Sequence, residues 1–250
     1  MSRGRLIRAA ALAAAALSVA SVASPAAARR AVPTGDRGHI AGAGPARQYL
    51  AVLDAAKVAR AAPNGHARKL TRVAKNRPLT GTPTSLPIVA FTHDSAGRLW
   101  YAVMLPGRPN GRTGWITTTH VEQAVTGWHI VIDRSQRRAT VYHLGKVAKR
   151  FRVAVGKRST PTPTGFFFVE EIVHERRSSE FWPYALALSA RSTVFSDFAG
   201  GPGQIALHGI ANIGGRVGTA ISHGCVRLST SADSWLGRHM EAGVPVDILA

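Results

Sequence analysis

The chain has 250 residues, a length that allows one large or two small domains, each with its own core. Its formal net charge is +19 and 45% of its residues are hydrophobic, which argues against wholesale disorder and against a protein with many membrane spans. The single cysteine, Cys225, excludes an intrachain disulfide framework and any multi-cysteine zinc or iron–sulfur site. Two questions remain: what the positive charge is for, and what a lone thiol does.

Residues 1–28 are typical of an export signal. A basic start precedes an Ala/Leu/Val-rich run over 9–23, too short to span a bilayer, and Ala26-Ala27-Ala28 offers a cleavage site. An uncleaved N-terminal anchor is the alternative. No other stretch reaches the ~18 apolar residues of a transmembrane helix. We therefore expect an exported protein of the cell wall, a periplasm-like space or the medium, without an integral membrane segment after cleavage.

Cleavage would remove Arg3, Arg5 and Arg8 and lower the formal charge to +16. Nucleic acid is the usual partner of so basic a chain, but an exported protein rarely meets it. Anionic cell-wall polymers are the expected partners instead. The alternative is that the charge serves solubility only.

The segment 29–66 is predicted to be a leader with one helix. Residues 29–44 are rich in Gly, Ala, Pro and Arg without periodicity, which is typical of a flexible segment. Apolar residues at helical spacing predict a helix over 45–62, ended by Pro63-Asn64-Gly65.

Short strands are predicted next, over 67–122. Apolar and aromatic runs at 86–91 and 99–105 are separated by turn residues, and Gly114-Trp115-Ile116 closes the segment. This pattern resembles bacterial SH3-like wall-associated modules. The resemblance implies a small β-barrel at 67–122.

From Gly127 onward, alternating apolar residues predict a second, mostly β domain over 127–250. Thr160 to Gly165, with two prolines, is predicted to be a rigid loop entering a strand. Residues 174–203 show no recognisable pattern and are described as irregular. One short helix is predicted near the C-terminus, capped by Thr230 and ended by Gly243.

Cys225 lies in a polar, glycine-rich and imidazole-bearing segment, Ser222 to Leu228. A buried, inert cysteine is the alternative to a functional one. These neighbours favour a stabilised thiolate, which is the nucleophilic form. The base could be His208 or His223, and the spacing alone does not choose between them.

A third group must orient the base. No acidic residue lies between Gln204 and Leu228, so a backbone carbonyl is the candidate. The N–H groups of His223, Gly224 and Cys225 could form an oxyanion hole. A zinc site made of the two histidines and Cys225 is an alternative that lacks a fourth ligand.

His208-Gly209, the 17-residue step to Cys225 and the run Ser222 to Leu228 resemble the signature of the YkuD-type L,D-transpeptidase catalytic domain. The resemblance extends over 127–249. It implies a β-sandwich or barrel, a thioester at Cys225 and His208 as the base. It gives supporting and oxyanion roles to Ser222, His223, Gly224 and Gly209. It also implies that Arg227 orders the site or binds a substrate carboxylate, with an ion pair to Asp233 as the structural alternative.

The resemblance implies a transferase that cross-links the third residues of peptidoglycan stem peptides, with release of terminal D-alanine. The expected role is therefore in cell-wall organisation and cell shape, for a monomer without metal or other cofactor. An L,D-carboxypeptidase and a sortase-like transpeptidase are the enzymatic alternatives. A wall-binding protein with a vestigial Cys225 is the alternative from another class.

Overall fold

The computed structural model describes residues 46–198 and 200–250. The predicted signal over 1–28 and residues 29–45 of the predicted leader over 29–66 lie outside the described residues and stay predictions. In the described part of the chain, no helix is long and apolar enough to cross a membrane.

The first half of the described chain forms a seven-stranded antiparallel sheet in the order β3-β2-β6-β5-β4-β1-β7. Its strands are β1 (Gln48–Leu53), β2 (Lys57–Arg60), β3 (Lys69–Val73), β4 (Ser85–His93), β5 (Leu99–Met104), β6 (Thr113–Thr117) and β7 (Val121–Thr126). We call this the N-terminal sheet. The SH3-like identity of residues 67–122 stays a prediction, and the sheet itself already begins at Gln48.

The helix predicted over 45–62 is wrong, because β1 and β2 occupy this segment. The apolar spacing that suggested a helix included Tyr49, which is 53% exposed. Leu50, Ala51 and Leu53 are buried instead, in a strand that pairs with β4 on one side and β7 on the other. Long-range pairing has therefore overridden a weak local pattern.

The second half forms an eight-stranded sheet in the order β10-β9-β8-β17-β12-β13-β14-β16, with a small pair β11-β15 beside it. The elements are β8 (Trp128–Asp133), β9 (Arg138–His143), β10 (Lys146–Arg152), β11 (Val155–Gly156), β12 (Gly165–His174), β13 (Tyr184–Arg191), β14 (Gln204–Gly209), β15 (Ala220–Ser222), β16 (Val226–Leu228), α1 (Thr230–His239) and β17 (Pro245–Leu249). The prediction of a mostly β fold with one short helix near the C-terminus is confirmed. We call this the C-terminal sheet.

Strand β13 corrects the description of residues 174–203 as irregular. It lies between β12 and β14 and is buried on both faces, so its apolar residues do not alternate with polar ones. Four of its eight residues are alanine or serine, which are not typical of strands.

Helix α1 begins one residue earlier than predicted. Ser229, rather than Thr230, is the N-cap, and its side chain accepts a hydrogen bond from the Ala232 N–H. The helix ends at the C-cap Met240, before Gly243. It packs on β13, β14 and β16, so it supports the strands that carry the site described below.

The two sheets are joined by buried charges on β12. Glu170 is fully buried and pairs with Arg77, which precedes β4, and with Arg191 at the end of β13 (2.9 Å). The adjacent Glu171 accepts hydrogen bonds from the N–H groups of Leu79 and Thr80 at 3.2 and 3.1 Å. Partnered charges of this kind fix a specific arrangement, because losing one partner leaves an uncompensated buried charge.

Candidate active site

The parallel pair β14–β16 brings three predicted site residues together. The register pairs His208 with Arg227, and paired residues present their side chains on the same face of a sheet. Cys225 immediately precedes β16 and lies two positions before Arg227, which puts it on that face in extended backbone. The charge of Arg227 lowers the pKa of both His208 and Cys225, so the guanidinium is close to both groups.

His208 is buried and held in one orientation. Its Nδ1 lies 2.8 Å from the Gly209 carbonyl oxygen. Because a carbonyl only accepts, Nδ1 donates, and in the neutral ring Nε2 is then the nitrogen that can take a proton. Burial, with the nearby Arg227 charge, lowers the pKa of His208 to about 4. The ring is therefore neutral at pH 7, and the prediction that a backbone carbonyl orients an imidazole is confirmed for His208.

Cys225 is a half-buried free cysteine. Burial raises the pKa of its thiol, and this effect outweighs the Ala206 N–H and the Arg227 charge, which both favour the thiolate. Burial therefore works against the expected stabilised thiolate, which stays a prediction. A thiol that keeps its proton needs a base before it can act as a nucleophile.

The turn before Cys225 is braced by hydroxyl groups. The Ser222 hydroxyl donates to the Cys225 carbonyl and accepts from the Gly224 N–H at 3.1 Å. Thr160 Oγ1 donates to the Ser222 carbonyl at 3.1 Å, and Thr162 Oγ1 donates to the Gly224 carbonyl at 2.8 Å. The Thr162 hydroxyl also accepts from the Gly156 N–H, so it joins three segments.

Thr160 and Thr162 were not among the predicted site residues. The sequence marked their loop only as rigid, and the two prolines beside them were the available signal. Both threonines are buried, and the backbone that they hold is that of the turn before Cys225.

Gly224 and Gly209 stand at positions where the backbone disfavours any other residue type. Gly224 has φ +127°, a conformation that side chains disfavour. Gly209 allows a close approach, because a Cβ there would lie 1.9 Å from the Trp182 carbonyl oxygen. That approach helps to bring Phe181 to His208, where the two rings meet edge to face with centroids 4.8 Å apart.

His223 contacts a different part of the chain from the one around His208. Its side chain is exposed, and its ring contacts those of Phe195 and Phe198 at centroid distances of 6.2 and 5.6 Å. These phenylalanines belong to residues 192–198 and 200–203, between β13 and β14, which we call the aromatic loop. The two candidate bases therefore differ in burial: His208 is buried, whereas His223 is exposed at the rim of the site.

Arg227 does not form the ion pair with Asp233 that was the alternative prediction. Its Nη1 lies 3.4 Å from the Gly214 carbonyl oxygen. Burial lowers the pKa of Arg227, and the Glu180 charge acts in the opposite direction. Asp233 is fully buried and accepts from the Tyr184 N–H at 2.9 Å. Burial raises the pKa of Asp233 to about 7, against the opposite effect of the Tyr184 and Gly209 N–H groups. It therefore links α1 to β13 beneath the site.

A comparison with known protein families shows which family carries this segment. Residues 127–248 match the model of the YkuD family, the L,D-transpeptidase catalytic domain. This segment is an L,D-transpeptidase catalytic domain. A curated relative, the protein YkuD of Bacillus subtilis (strain 168), assigned as an L,D-transpeptidase, is 27% identical over 129 residues. The match covers 51% of this chain and 62% of that protein.

Solved L,D-transpeptidase structures also resemble the chain. L,D-transpeptidase 3 from Mycobacterium tuberculosis is 15% identical, with a TM-score of 0.43, over 80% of this chain and 95% of that one. An L,D-transpeptidase from Mycobacterium smegmatis is 19% identical, with a TM-score of 0.38, over 68% of this chain and all of that one.

No group of three His, Cys, Asp or Glu side chains in the described residues could hold a metal ion. In this L,D-transpeptidase domain the chemistry offered by the geometry is that of a thiol, a neutral imidazole and a guanidinium on one sheet face.

Proposed function

We propose that this protein is an exported cysteine acyl-transferase that cross-links peptidoglycan stem peptides. The observation that carries the proposal is the β14–β16 register, which aligns His208 with Arg227 and places Cys225 beside them. The family of residues 127–248 supplies the reaction class.

In the first half-reaction, the Cys225 sulfur attacks the carbonyl carbon of the third, L-configured residue of a tetrapeptide stem. The thiol proton passes to Nε2 of His208 as the S–C bond forms. The resulting imidazolium then protonates the departing amine, the C–N bond breaks and D-alanine leaves. Because the thiol pKa is raised and the His208 pKa is lowered, the resting pair is neutral, and charge develops only during the attack.

The oxyanion of the tetrahedral intermediate needs N–H donors. The Gly224 N–H is engaged by the Ser222 hydroxyl, so Gly224 contributes its backbone conformation rather than a donor. The N–H groups of His223 and Cys225 remain the candidate donors. The Ser222 hydroxyl and the two threonines keep the turn that presents them in place.

In the second half-reaction, an amine of another stem attacks the thioester carbonyl. Neutral His208 takes a proton from this amine, and the thiol regains one as it leaves. The product joins two third residues. Water as the acceptor would give a free tripeptide instead, which is the L,D-carboxypeptidase reaction.

Export and attraction to an anionic wall complete the proposal. The edge strand β10 supports attraction to an anionic wall, because six of its seven residues are exposed. Its basic residues are Lys146, Lys149, Arg150 and Arg152. Such a strand attracts polyanions through a field that salt screens.

Product analysis with a disaccharide-tetrapeptide tests the proposal. We expect the parent protein to release D-alanine and form dimers linked between third residues, and Cys225→Ala to form neither. Thermal unfolding of Cys225→Ala checks that it is folded. Dimers formed by Cys225→Ala, or a parent that releases no D-alanine, would refute the assigned nucleophile or the assigned substrate respectively.

A further inference from the structure

The aromatic loop is fastened to the N-terminal sheet by one arginine. Arg108, between β5 and β6, donates to the carbonyls of Ser192, Phe195 and Pro202 at 3.0, 2.6 and 2.8 Å. These carbonyls lie near both ends of the loop. A guanidinium that makes three charge-assisted hydrogen bonds restricts all the segments that it joins.

A neighbouring side chain fastens the strand that leads into this loop. The Asn110 side chain accepts from the Arg191 N–H and donates to the Arg191 carbonyl, both at 2.8 Å. The Arg191 side chain in turn pairs with the buried Glu170. The start of the loop therefore has no freedom to shift relative to the N-terminal sheet without breaking buried polar contacts.

The loop closes on itself and carries its rings to the rim of the site. The Ser192 N–H donates to the Gly203 carbonyl at 2.7 Å, which joins the two ends, and the Ser192 hydroxyl accepts from the Phe195 N–H at 3.0 Å. Phe195 and Phe198 contact each other and the ring of His223.

We propose that Arg108 is a positioning residue through which the N-terminal sheet sets the aromatic loop against His223 and so shapes the donor-peptide side of the site. The expected effect of Arg108 on turnover rests on the function proposed above. The expected effect of Arg108 on the contact between the loop and His223 does not, because that contact is measurable without a reaction. An apolar, ring-lined rim suits the aliphatic part of a stem peptide rather than its charged groups.

The matched variants are Arg108→Gln and Arg112→Gln. Both remove one charge from the same connection, but Arg112 donates within that connection, to the Pro106 carbonyl, and not to the loop. Because its ring contacts those of Phe195 and Phe198, we expect the ring protons of His223 to show ring-current shifts in NMR spectra of the parent. We expect Arg108→Gln to move them towards exposed-histidine values and Arg112→Gln to leave them unchanged.

Kinetics supply the second readout. For Arg108→Gln we expect kcat/KM for the donor tetrapeptide to fall about tenfold, mainly through KM, with Arg108→Lys restoring part of it. Alkylation of Cys225 by iodoacetamide should not slow, because the nucleophile and its braced turn are untouched. In a protein that already carries Phe195→Ala and Phe198→Ala, adding Arg108→Gln should not lower kcat/KM for the donor tetrapeptide any further.

Unchanged His223 shifts and donor KM in Arg108→Gln would overturn the proposal, as would equal effects in Arg112→Gln. If Arg108→Gln fails to fold, Phe195→Ala/Phe198→Ala decides alone: an unchanged donor KM overturns the proposal and a raised one supports it. A parent that does not turn over stem peptides refutes the proposed function, while the His223 shifts still test the positioning role.

Discussion

The active site has two sides built in opposite ways. On one side, hydrogen bonds of 2.5 to 3.1 Å between buried or partly buried groups hold His208 and the turn from Ser222 to Cys225. Thr160 and Thr162 donate two of them. On the other, the rings of Phe195 and Phe198 contact His223. Their loop is held by hydrogen bonds from Arg108, which lies between two strands of the N-terminal sheet. The buried side is suited to fix reacting atoms, and the exposed side to vary with the substrate.

The largest difference in acylation rate between the two sides should come from substituting the two histidines. His208→Ala removes the proposed base, so we expect the acylation rate to fall about 10²–10⁴-fold. His223→Ala removes only a rim contact, with an expected loss of about tenfold or less. Single-turnover release of D-alanine measures both. A larger loss for His223→Ala would reverse the assignment of the two sides.

The buried side should also govern the dependence of stability on pH. The pKa of His208 is lowered to about 4 in the folded protein, so its contribution is complete above about pH 6.5 and is lost as the pH falls towards 4, by up to about 3 kcal/mol. The pKa of Asp233 is raised to about 7, so its contribution is complete below about pH 4 and is lost as the pH rises towards 7.

These two trends oppose each other in the parent. Urea unfolding between pH 4 and 7.5 should therefore show stability that rises more steeply with pH in Asp233→Asn than in the parent, and less steeply in His208→Gln. Identical slopes in the three proteins would show that neither group is buried as described.

The braced turn gives a third comparison, between two threonines. Thr162→Val removes a hydroxyl that serves Gly156 and Gly224, whereas Thr160→Val removes one that serves Ser222 only. We expect Thr162→Val to lower the free energy of unfolding by about 1–3 kcal/mol, more than Thr160→Val does, because it leaves two backbone groups unpaired. Urea unfolding measures this, and an equal effect would contradict the ranking.

The smallest expected effect concerns Arg227. Its charge lowers the pKa of Cys225, so in Arg227→Gln the pH at which iodoacetamide alkylation reaches half its maximum should move upward. The control is the exposed Arg216→Gln, which should leave the midpoint unchanged. A midpoint that does not move in Arg227→Gln would show that the guanidinium does not act on the sulfur.

Much of the C-terminal sheet was predictable from alternation, as in Trp128, Ile130 and Ile132 of β8. Strand β13 was not, because both of its faces are buried and its sequence carries no alternation. The first helix was predicted wrongly because pairing of β1 with two distant strands outweighs local spacing.

The site, too, has residues that the sequence could indicate and residues that it could not. Cys225 and His208 could be proposed from the sequence because their chemistry is carried by residue type and by a local motif. Thr162 and Arg108 were not, because each acts through hydrogen bonds to residues 62 to 94 positions away, which the sequence alone does not reveal.

The most direct test is the intact mass of the protein quenched during reaction with a disaccharide-tetrapeptide. The chain has one cysteine, so a thioester has one possible location. We predict a mass increase equal to the disaccharide-tetrapeptide minus D-alanine, present in the parent, strongly reduced in His208→Ala and absent in Cys225→Ala. The same adduct on Cys225→Ala would contradict the account.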